Sequence, residues 1–73
     1  MTWRPGYNDF FHDFRGQKCI VVYRASDPGD YWIAPLLDGG KEGEAFDDLT
    51  AREDDALALL VSEHRMDRDY DER

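Results

Sequence analysis

The stretch that decides the fold is Lys18-Cys-Ile-Val-Val-Tyr23, followed after a turn by Tyr31-Trp-Ile-Ala-Pro-Leu-Leu37. Both runs are rich in β-branched and aromatic side chains, which fit the pleated surface of a sheet. Between them, Ser26-Asp-Pro-Gly-Asp30 consists of turn-forming residues. These segments predict an antiparallel β-hairpin. Pro35 predicts that the second strand lies at a sheet edge or breaks at this residue, because proline has no N–H to donate.

A third strand is compatible with Glu44-Ala-Phe46, which follows a second, glycine-containing turn over Asp38–Gly43. The expected sheet therefore has two or three strands. Both faces of the hairpin are apolar, since Cys19 and Val21 point one way and Ile20 and Val22 the other. One helix covers only one such face. The second face must be covered by the segment near the amino end, by a second copy of the chain, or by a partner.

The carboxyl-terminal half contains the clearest helix signal. Thr50-Ala-Arg-Glu53 matches a capping box, in which Thr50 and Glu53 each accept the other's backbone N–H. After it, apolar residues and one histidine recur at three- and four-residue spacing: Ala56, Leu57, Leu60, Val61 and His64. This pattern predicts an amphipathic helix from Ala51 to about Met66.

We expect Leu57, Leu60 and Val61 to pack on Val21, Tyr23 and Ile33 of the hairpin. Beyond the helix, residues 67–73 have no apolar periodicity, and a frayed acidic tail is expected there.

Near the amino end, Phe10, Phe11 and Phe14 lie at helical spacing. Asn8 or Asp9 can cap a helix there, and Gly16 stands where a left-handed C-terminal cap would fall. A short helix is therefore predicted over Asp9–Arg15, and a loop held by the same three phenylalanines is the alternative, because so short a helix is marginal without tertiary packing. The expected fold class is α+β: an antiparallel hairpin or three-stranded sheet, the C-terminal helix on one face, and this short N-terminal helix.

The chain has 73 residues, which suffice for one core, so residues 1–66 are expected to form a single small domain. The one cysteine, Cys19, cannot form an intramolecular disulfide, which favours a reducing compartment. The first sixteen residues do not resemble a signal peptide, and no apolar run approaches the roughly 20 residues of a membrane span. A cytoplasmic, non-membrane protein is predicted.

The net charge of −8 is unevenly distributed. Residues 1–37 hold four acidic and four basic side chains, whereas residues 38–55 hold eight acidic side chains against Lys41 and Arg52. Such a chain is repelled by nucleic acid and by anionic membrane, so direct binding to either is not expected.

Local effects account for part of this acidity, because Glu53, Asp54 and Asp55 favour a helix start through capping and the helix dipole. A purely solvating role, or adaptation to high salt, is therefore an alternative explanation. The functional hypothesis is that six carboxylates bind the basic surface of a partner protein: Glu42, Glu44, Asp47, Asp48, Asp54 and Asp55.

The sequence contains only weak patterns for metal binding and for nucleophilic catalysis. Asp67, Asp69 and Asp71 alternate as in a calcium loop, but the required sixth-position glycine is absent. Glu63, His64 and Asp67 are better explained by a solvated helix and a hydrogen-bonded histidine at the core edge than by a metal site. Cys19 with His12 is the one candidate nucleophilic set, and a small buried apolar Cys19 is the ordinary interpretation. No cofactor, metal or enzymatic activity is expected.

In size and charge the chain resembles the small acidic inhibitors carried by phages and mobile elements, including DNA mimics that block restriction or CRISPR complexes. The resemblance implies a non-catalytic inhibitor of a nucleic-acid-binding protein complex. The alternative is an interaction module that docks or forms a homodimer through an apolar sheet face and uses its charge for solubility.

Overall fold

A computed structural model describes residues 5–71 of the chain, with side chains through residue 67. Three antiparallel strands form one sheet in the order β1-β2-β3, and a C-terminal helix follows. The strands are β1 (Tyr7–Phe14), β2 (Gln17–Arg24) and β3 (Tyr31–Pro35), and the helix α1 covers Ala51–Asp71. A single 3-10 turn lies at Asp38–Gly40. The predicted α+β class is confirmed.

The predicted short helix over Asp9–Arg15 is wrong, because these residues belong to β1 and its turn. Arg15 and Gly16 both have positive φ, 52° and 77°, and Phe14 lies opposite Gln17. Two consecutive residues with positive φ make the tight turn that joins two twisted strands. The left-handed conformation expected of Gly16 is present, but it closes a hairpin rather than a helix.

The hairpin predicted from the two apolar runs is confirmed, with Val21 opposite Ile33 in its antiparallel register. β3 ends at Pro35 and lies at the sheet edge, as the proline indicated. The third strand is β1, not Glu44–Phe46, which has no strand assignment. That segment instead makes isolated contacts with β3: Phe46 N–H donates to the Ile33 carbonyl at 2.9 Å.

Helix α1 begins where the capping box predicted. The Thr50 hydroxyl accepts the Glu53 N–H at 3.1 Å, and the Glu53 carboxylate accepts the Thr50 N–H at 2.9 Å. The helix continues to Asp71, beyond the expected end near Met66 and into the segment predicted to fray. Residues 72 and 73 of that predicted tail lie outside the described residues.

The main core lies between the sheet and α1. Its buried residues come from β2, β3 and the helix: Cys19, Val21, Tyr23, Ile33, Leu57 and Val61. Leu57 and Val61 pack as predicted, whereas Leu60 is only half-buried. Phe10 and Phe14 of β1 pack against this cluster.

The opposite sheet face has its own smaller cluster of Ile20, Val22 and Ala34, each at most 1% exposed. Tyr7 and Trp32 pack against it, with their ring centroids 5.8 Å apart. The amino-terminal segment therefore contributes to both faces, since Tyr7 covers one and the phenylalanines at 10 and 14 the other. The centre of the second face is thus buried within the monomer.

Candidate binding surface

The six predicted carboxylates lie on residues 42–55, the segment that leaves β3 and enters α1. This segment is fixed to the sheet edge at two points. Gly43 N–H donates to the Pro35 carbonyl at 2.8 Å, and Phe46 N–H donates to the Ile33 carbonyl. The Thr50 and Glu53 cap fixes its other end. The acidic segment is therefore held against the fold although it has no regular secondary structure before Ala51.

Arg15, at the tip of the β1–β2 hairpin, clamps the middle of the segment. Its guanidinium donates to both carboxylate oxygens of Glu53, with Nε–Oε2 at 3.0 Å and Nη2–Oε1 at 2.8 Å. It also donates from Nη1 to Asp48 at 3.2 Å. Its guanidinium carbon lies 5.0 Å and 5.2 Å from the ring centroids of Phe14 and Phe46. Such stacking and bidentate pairing suit arginine rather than lysine.

These bonds change the ionisation of both partners. The Arg15 hydrogen bonds, with the Thr50 N–H, lower the pKa of Glu53 to about 2. The bond to Glu53 likewise raises the pKa of Arg15 above its ordinary value. Both groups therefore stay charged at neutral pH, and part of the charge on the acidic segment is compensated internally.

Glu42 lies on the other side of the sheet from α1. Its carboxylate accepts a hydrogen bond from the indole N–H of Trp32 at 3.1 Å, and Trp32 packs on the second sheet face. An isolated bridge pairs Glu42 with Leu36. The structure therefore separates Glu42 from the carboxylates around the helix start.

Asp54 lies beside β3. The Tyr31 hydroxyl donates to its carboxylate at 3.3 Å. Burial, together with the nearby Asp54 and Asp55, raises the pKa of Tyr31, so the phenol remains a donor at neutral pH. Asp54 is exposed and can meet a partner, but it also links the helix to the sheet edge.

The remaining predicted residues, Glu44, Asp47 and Asp55, are exposed. Within the side chains described for residues 5–67, none of the three has a hydrogen bond or ion pair. Asp48 is also largely exposed, with 68% of its side chain accessible beside Arg15. The structure therefore brings Asp47 and Asp48 next to the first helical turn and leaves three carboxylates available for another molecule.

Arg15 is the residue of this surface that local sequence patterns did not identify. Its partners lie 33 and 38 positions away, so no short spacing reports them. The available signal was Arg15-Gly16 directly before the clearest strand, which is compatible with a hairpin turn between β1 and β2. Because residues 7–14 form β1, the turn at Arg15 and Gly16 lies beside the start of α1.

Cys19 and His12 are opposite each other in the β1–β2 register. Cys19 is fully buried, and its thiol lies 3.8 Å from the Phe14 carbonyl oxygen. Burial, and secondarily Asp13, raise the pKa of the Cys19 thiol. Because the thiolate is the nucleophilic form, this environment disfavours covalent chemistry at the residue.

His64 lies at the edge of the main core. Its Nδ1 is 2.6 Å from the Tyr23 hydroxyl, and its ring stacks on Phe10 with centroids 4.5 Å apart. Over the part of the chain with described side chains, no three His, Cys, Asp or Glu residues are arranged to hold a metal ion. His64 therefore contributes to packing and hydrogen bonding.

Among residues 5–71, no helix combines the length and the apolar character needed to cross a membrane. Comparison with known proteins gives no match: no family model, no curated protein and no solved structure is significantly similar to the chain.

Proposed function

We propose that this chain is a non-catalytic acidic binding protein. In this proposal, the exposed carboxylates of residues 44–55 occupy the basic surface of a nucleic-acid-binding protein complex and inhibit it, and Glu42, on the other side of the sheet, is not part of that surface. The mode of action is that of a DNA mimic, as in the inhibitors of restriction or CRISPR complexes carried by phages and mobile elements. The partner contributes arginine or lysine side chains, since these pair with carboxylates as they do with phosphates.

The observation that carries the proposal is the presentation of exposed carboxylates on a segment fixed by the fold. Glu44, Asp47 and Asp55 are exposed, and the backbone around them is tied to β3 and to the helix cap. A surface that is ordered before binding loses less conformational entropy on association.

The uneven charge of the chain adds support. Residues 1–37 are neutral overall, whereas residues 38–55 have a net charge of −6. Arg15 compensates Glu53 and Asp48 and thereby holds the segment in place, while the unpaired carboxylates remain to attract a basic partner. Concentrated charge of one sign speeds the association of oppositely charged proteins.

The alternative of docking through an apolar sheet face has less support. The second face buries Ile20, Val22 and Ala34 within the monomer, and Phe11 at its β1 side is 50% exposed. The buried, protonated Cys19 thiol similarly gives no support to a catalytic role.

The test begins with capture of partners by the tagged chain from its host, followed by measurement of the dissociation constant for the captured protein. Neutralising Glu44→Gln, Asp47→Asn and Asp55→Asn together should weaken binding about tenfold at low salt, and less at high salt. These side chains have no described internal partner, so the variant should remain folded. The matched control neutralises three carboxylates outside the segment, Asp27→Asn, Asp30→Asn and Asp38→Asn, and each Asn keeps a side-chain oxygen that can accept the hydrogen bonds of the parent.

The control variant should bind nearly as well as the parent. Equal losses in both variants would mean that only total charge matters, which contradicts a specific surface on residues 44–55. Unchanged binding in the first variant would also contradict the proposal.

A further inference from the structure

The outer edge of β1 offers backbone hydrogen-bonding groups. Phe14 and Gln17 flank the two-residue turn, and in such a hairpin they form a hydrogen-bonded pair. The same alternation of hydrogen-bonded pairs reaches the open end of the β1–β2 hairpin, where Ala25 N–H donates to the Gly6 carbonyl at 2.9 Å. Even-numbered residues of β1 therefore bond to β2, and the N–H and C=O groups of Asp9, Phe11 and Asp13 point away from it.

β1 is an edge strand, and no other strand among residues 5–71 pairs with its outer side. The opposite edge differs, because Gly43 and Phe46 donate to carbonyls of β3. An open strand edge of this kind is a template for an additional strand.

A cavity of about 160 Å³ lies between the sheet and α1. Its walls include His12 and Phe14 of β1 and Ala56, Leu57 and Leu60 of the helix, and it extends to Ile33 of β3, Leu49, Arg52 and Glu53. Leu60 is half-buried because it faces this space rather than the sealed core. A cavity of roughly 150 Å³ holds a benzene molecule, so this one has room for one aromatic or branched aliphatic side chain.

The positions along the β1 edge decide which side chain of an added strand would lie over the cavity. His12 and Phe14 lie on the α1 side of the sheet, and directly opposed residues in neighbouring strands have side chains on the same face. A residue opposite His12 in an added strand would therefore direct its side chain over the cavity. In the added strand, the residues before and after the one opposite His12 would form hydrogen-bonded pairs with Phe11 and Asp13.

Acidic side chains outnumber basic ones around this groove, which favours a basic occupant. Five carboxylates, Asp9, Asp13, Glu53, Glu63 and Asp67, compare with Arg15, Lys18 and Arg52, of which Arg15 is paired with Glu53 and Lys18 lies opposite Asp13. Asp9 and Asp13 lie along the open edge on either side of Phe11, with their side chains on the sheet face opposite α1. On the helix, Glu63 and Asp67 are exposed and follow Leu60 by three and seven positions, which places them on the same flank. Symmetric pairing of β1 with a second copy would bring these carboxylates together, whereas a basic segment would pair with them.

We propose that the groove between β1 and α1 binds an extended basic segment of a partner protein, which adds to β1 as a fourth strand and inserts one large apolar side chain into the cavity. The groove meets the acidic segment at Glu53, which lines the cavity and is bonded to Arg15. It does not use the exposed carboxylates of Glu44, Asp47 and Asp55, so the proposal does not depend on the function proposed for them.

The probe is the synthetic peptide acetyl-Lys-Val-Lys-Phe-Arg-Val-Lys-amide, in which apolar residues alternate with basic ones. Amide hydrogen exchange is followed by NMR on the full chain. Saturating peptide should slow exchange at Phe11 and Asp13 by about tenfold or more, and change Phe10 and His12 little because these already bond to β2.

Two control peptides separate backbone pairing from charge. N-methylation of the two residues flanking Phe removes the N–H groups that would bond to β1, and replacement of every Lys and Arg by Glu reverses the charge. Neither peptide should slow exchange at Phe11 or Asp13. Slowing by the N-methylated peptide would overturn strand addition, and slowing by the acidic peptide would overturn the preference for a basic segment.

A pair of protein variants tests the cavity. Ala56→Leu should fill it and weaken peptide binding about fivefold or more, whereas Ser62→Leu, on another side of the helix, should leave binding unchanged. Equal binding by both variants, or no slowing of exchange by the parent peptide, would overturn the proposal. Slow exchange of Phe11 and Asp13 without peptide, in a sample that sediments as a dimer, would assign the groove to a second copy instead.

Discussion

Arg15 and Glu53, 38 residues apart in the chain, form a bidentate pair in which both carboxylate oxygens accept hydrogen bonds from one guanidinium. The pair joins the tip of the β1–β2 hairpin to the first turn of α1. The same carboxylate accepts the Thr50 N–H, so Glu53 is at once the helix cap and the contact between helix and sheet.

Arg15 has two roles, the hydrogen bonds to Glu53 and Asp48 and a position in the hairpin turn, and a substitution can test the two separately. Arg15 has φ of 52°, a conformation that asparagine adopts more readily, and Asn-Gly is a favoured pair for such hairpin turns. Arg15→Asn therefore improves the turn and removes the clamp. We expect a lower melting temperature than that of the parent, with Arg15→Lys intermediate because lysine keeps the charge but not the bidentate geometry.

Thermal unfolding followed by circular dichroism measures all three proteins. If Arg15→Asn melts at or above the parent temperature, the turn conformation outweighs the clamp and the structural role assigned to Arg15 is wrong.

The lowered pKa of Glu53, about 2, predicts a pH dependence of stability. A carboxylate whose pKa is depressed by folding stabilises the native state above its unfolded pKa, near 4.5. That contribution is lost as the pH falls from about 4.5 through about 2. NMR titration of the Glu53 side chain should find the depressed pKa, and Arg15→Asn should raise it. A titration of Glu53 near 4.5 in the parent would contradict the pair.

The loss in the free energy of unfolding on substitution by alanine should follow the burial of three leucines of α1. Leu57 is 4% exposed in the main core, so Leu57→Ala should lower the free energy of unfolding by about 2 to 5 kcal/mol. Leu60→Ala should lower it less, since Leu60 lines the cavity and is half-buried. Leu59 is 62% exposed, and its alanine variant should stay within about 0.5 kcal/mol of the parent. Urea unfolding of the three variants provides the comparison, and a Leu60→Ala loss as large as that of Leu57→Ala would contradict the open cavity.

The contact between Tyr23 and His64 predicts a smaller effect. Tyr23→Phe removes the hydroxyl that lies 2.6 Å from His64 Nδ1 and retains the ring contacts with Phe10 and His64. The expected loss in the free energy of unfolding is about 0.5 to 1.5 kcal/mol by urea titration. A variant as stable as the parent would show that the hydroxyl contributes nothing to the packing of α1 on the sheet.

Short-range patterns predicted the elements whose stabilisation is local. The runs at 18–23 and 31–37 gave the hairpin of β2 and β3, and the Thr50–Glu53 box gave the start of α1. In each case the deciding interactions, side-chain fit to a strand or reciprocal capping, join residues close together in the chain.

β1 was mispredicted because Phe10, Phe11 and Phe14 have a spacing that fits a helix, although Phe10 and Phe14 also share one face of a strand. Pairing with β2 decided between the two, and that pairing is a tertiary effect. The sequence left open a third strand at 44–46. That segment lies along β3, but it makes isolated hydrogen bonds there and not a continuous ladder, and β1 is the third strand.

The acidic segment was identified from composition, but the distribution of its side chains required the fold. Trp32 holds Glu42 on the far side of the sheet, and Arg15 holds Asp48 beside the helix. These contacts join residues from separate elements, so the sequence could locate the charge but not separate the internally bonded carboxylates from the available ones.

The most direct test of the proposed function is competition with duplex DNA for the protein that the tagged chain captures. A fluorescently labelled duplex is bound to the captured protein, and unlabelled chain is added while fluorescence anisotropy is recorded. A DNA mimic predicts that the chain displaces the duplex, and that Glu44→Gln, Asp47→Asn, Asp55→Asn displaces it only at about tenfold higher concentration. A captured protein that binds no DNA, or one that holds duplex and chain simultaneously, would contradict the proposal.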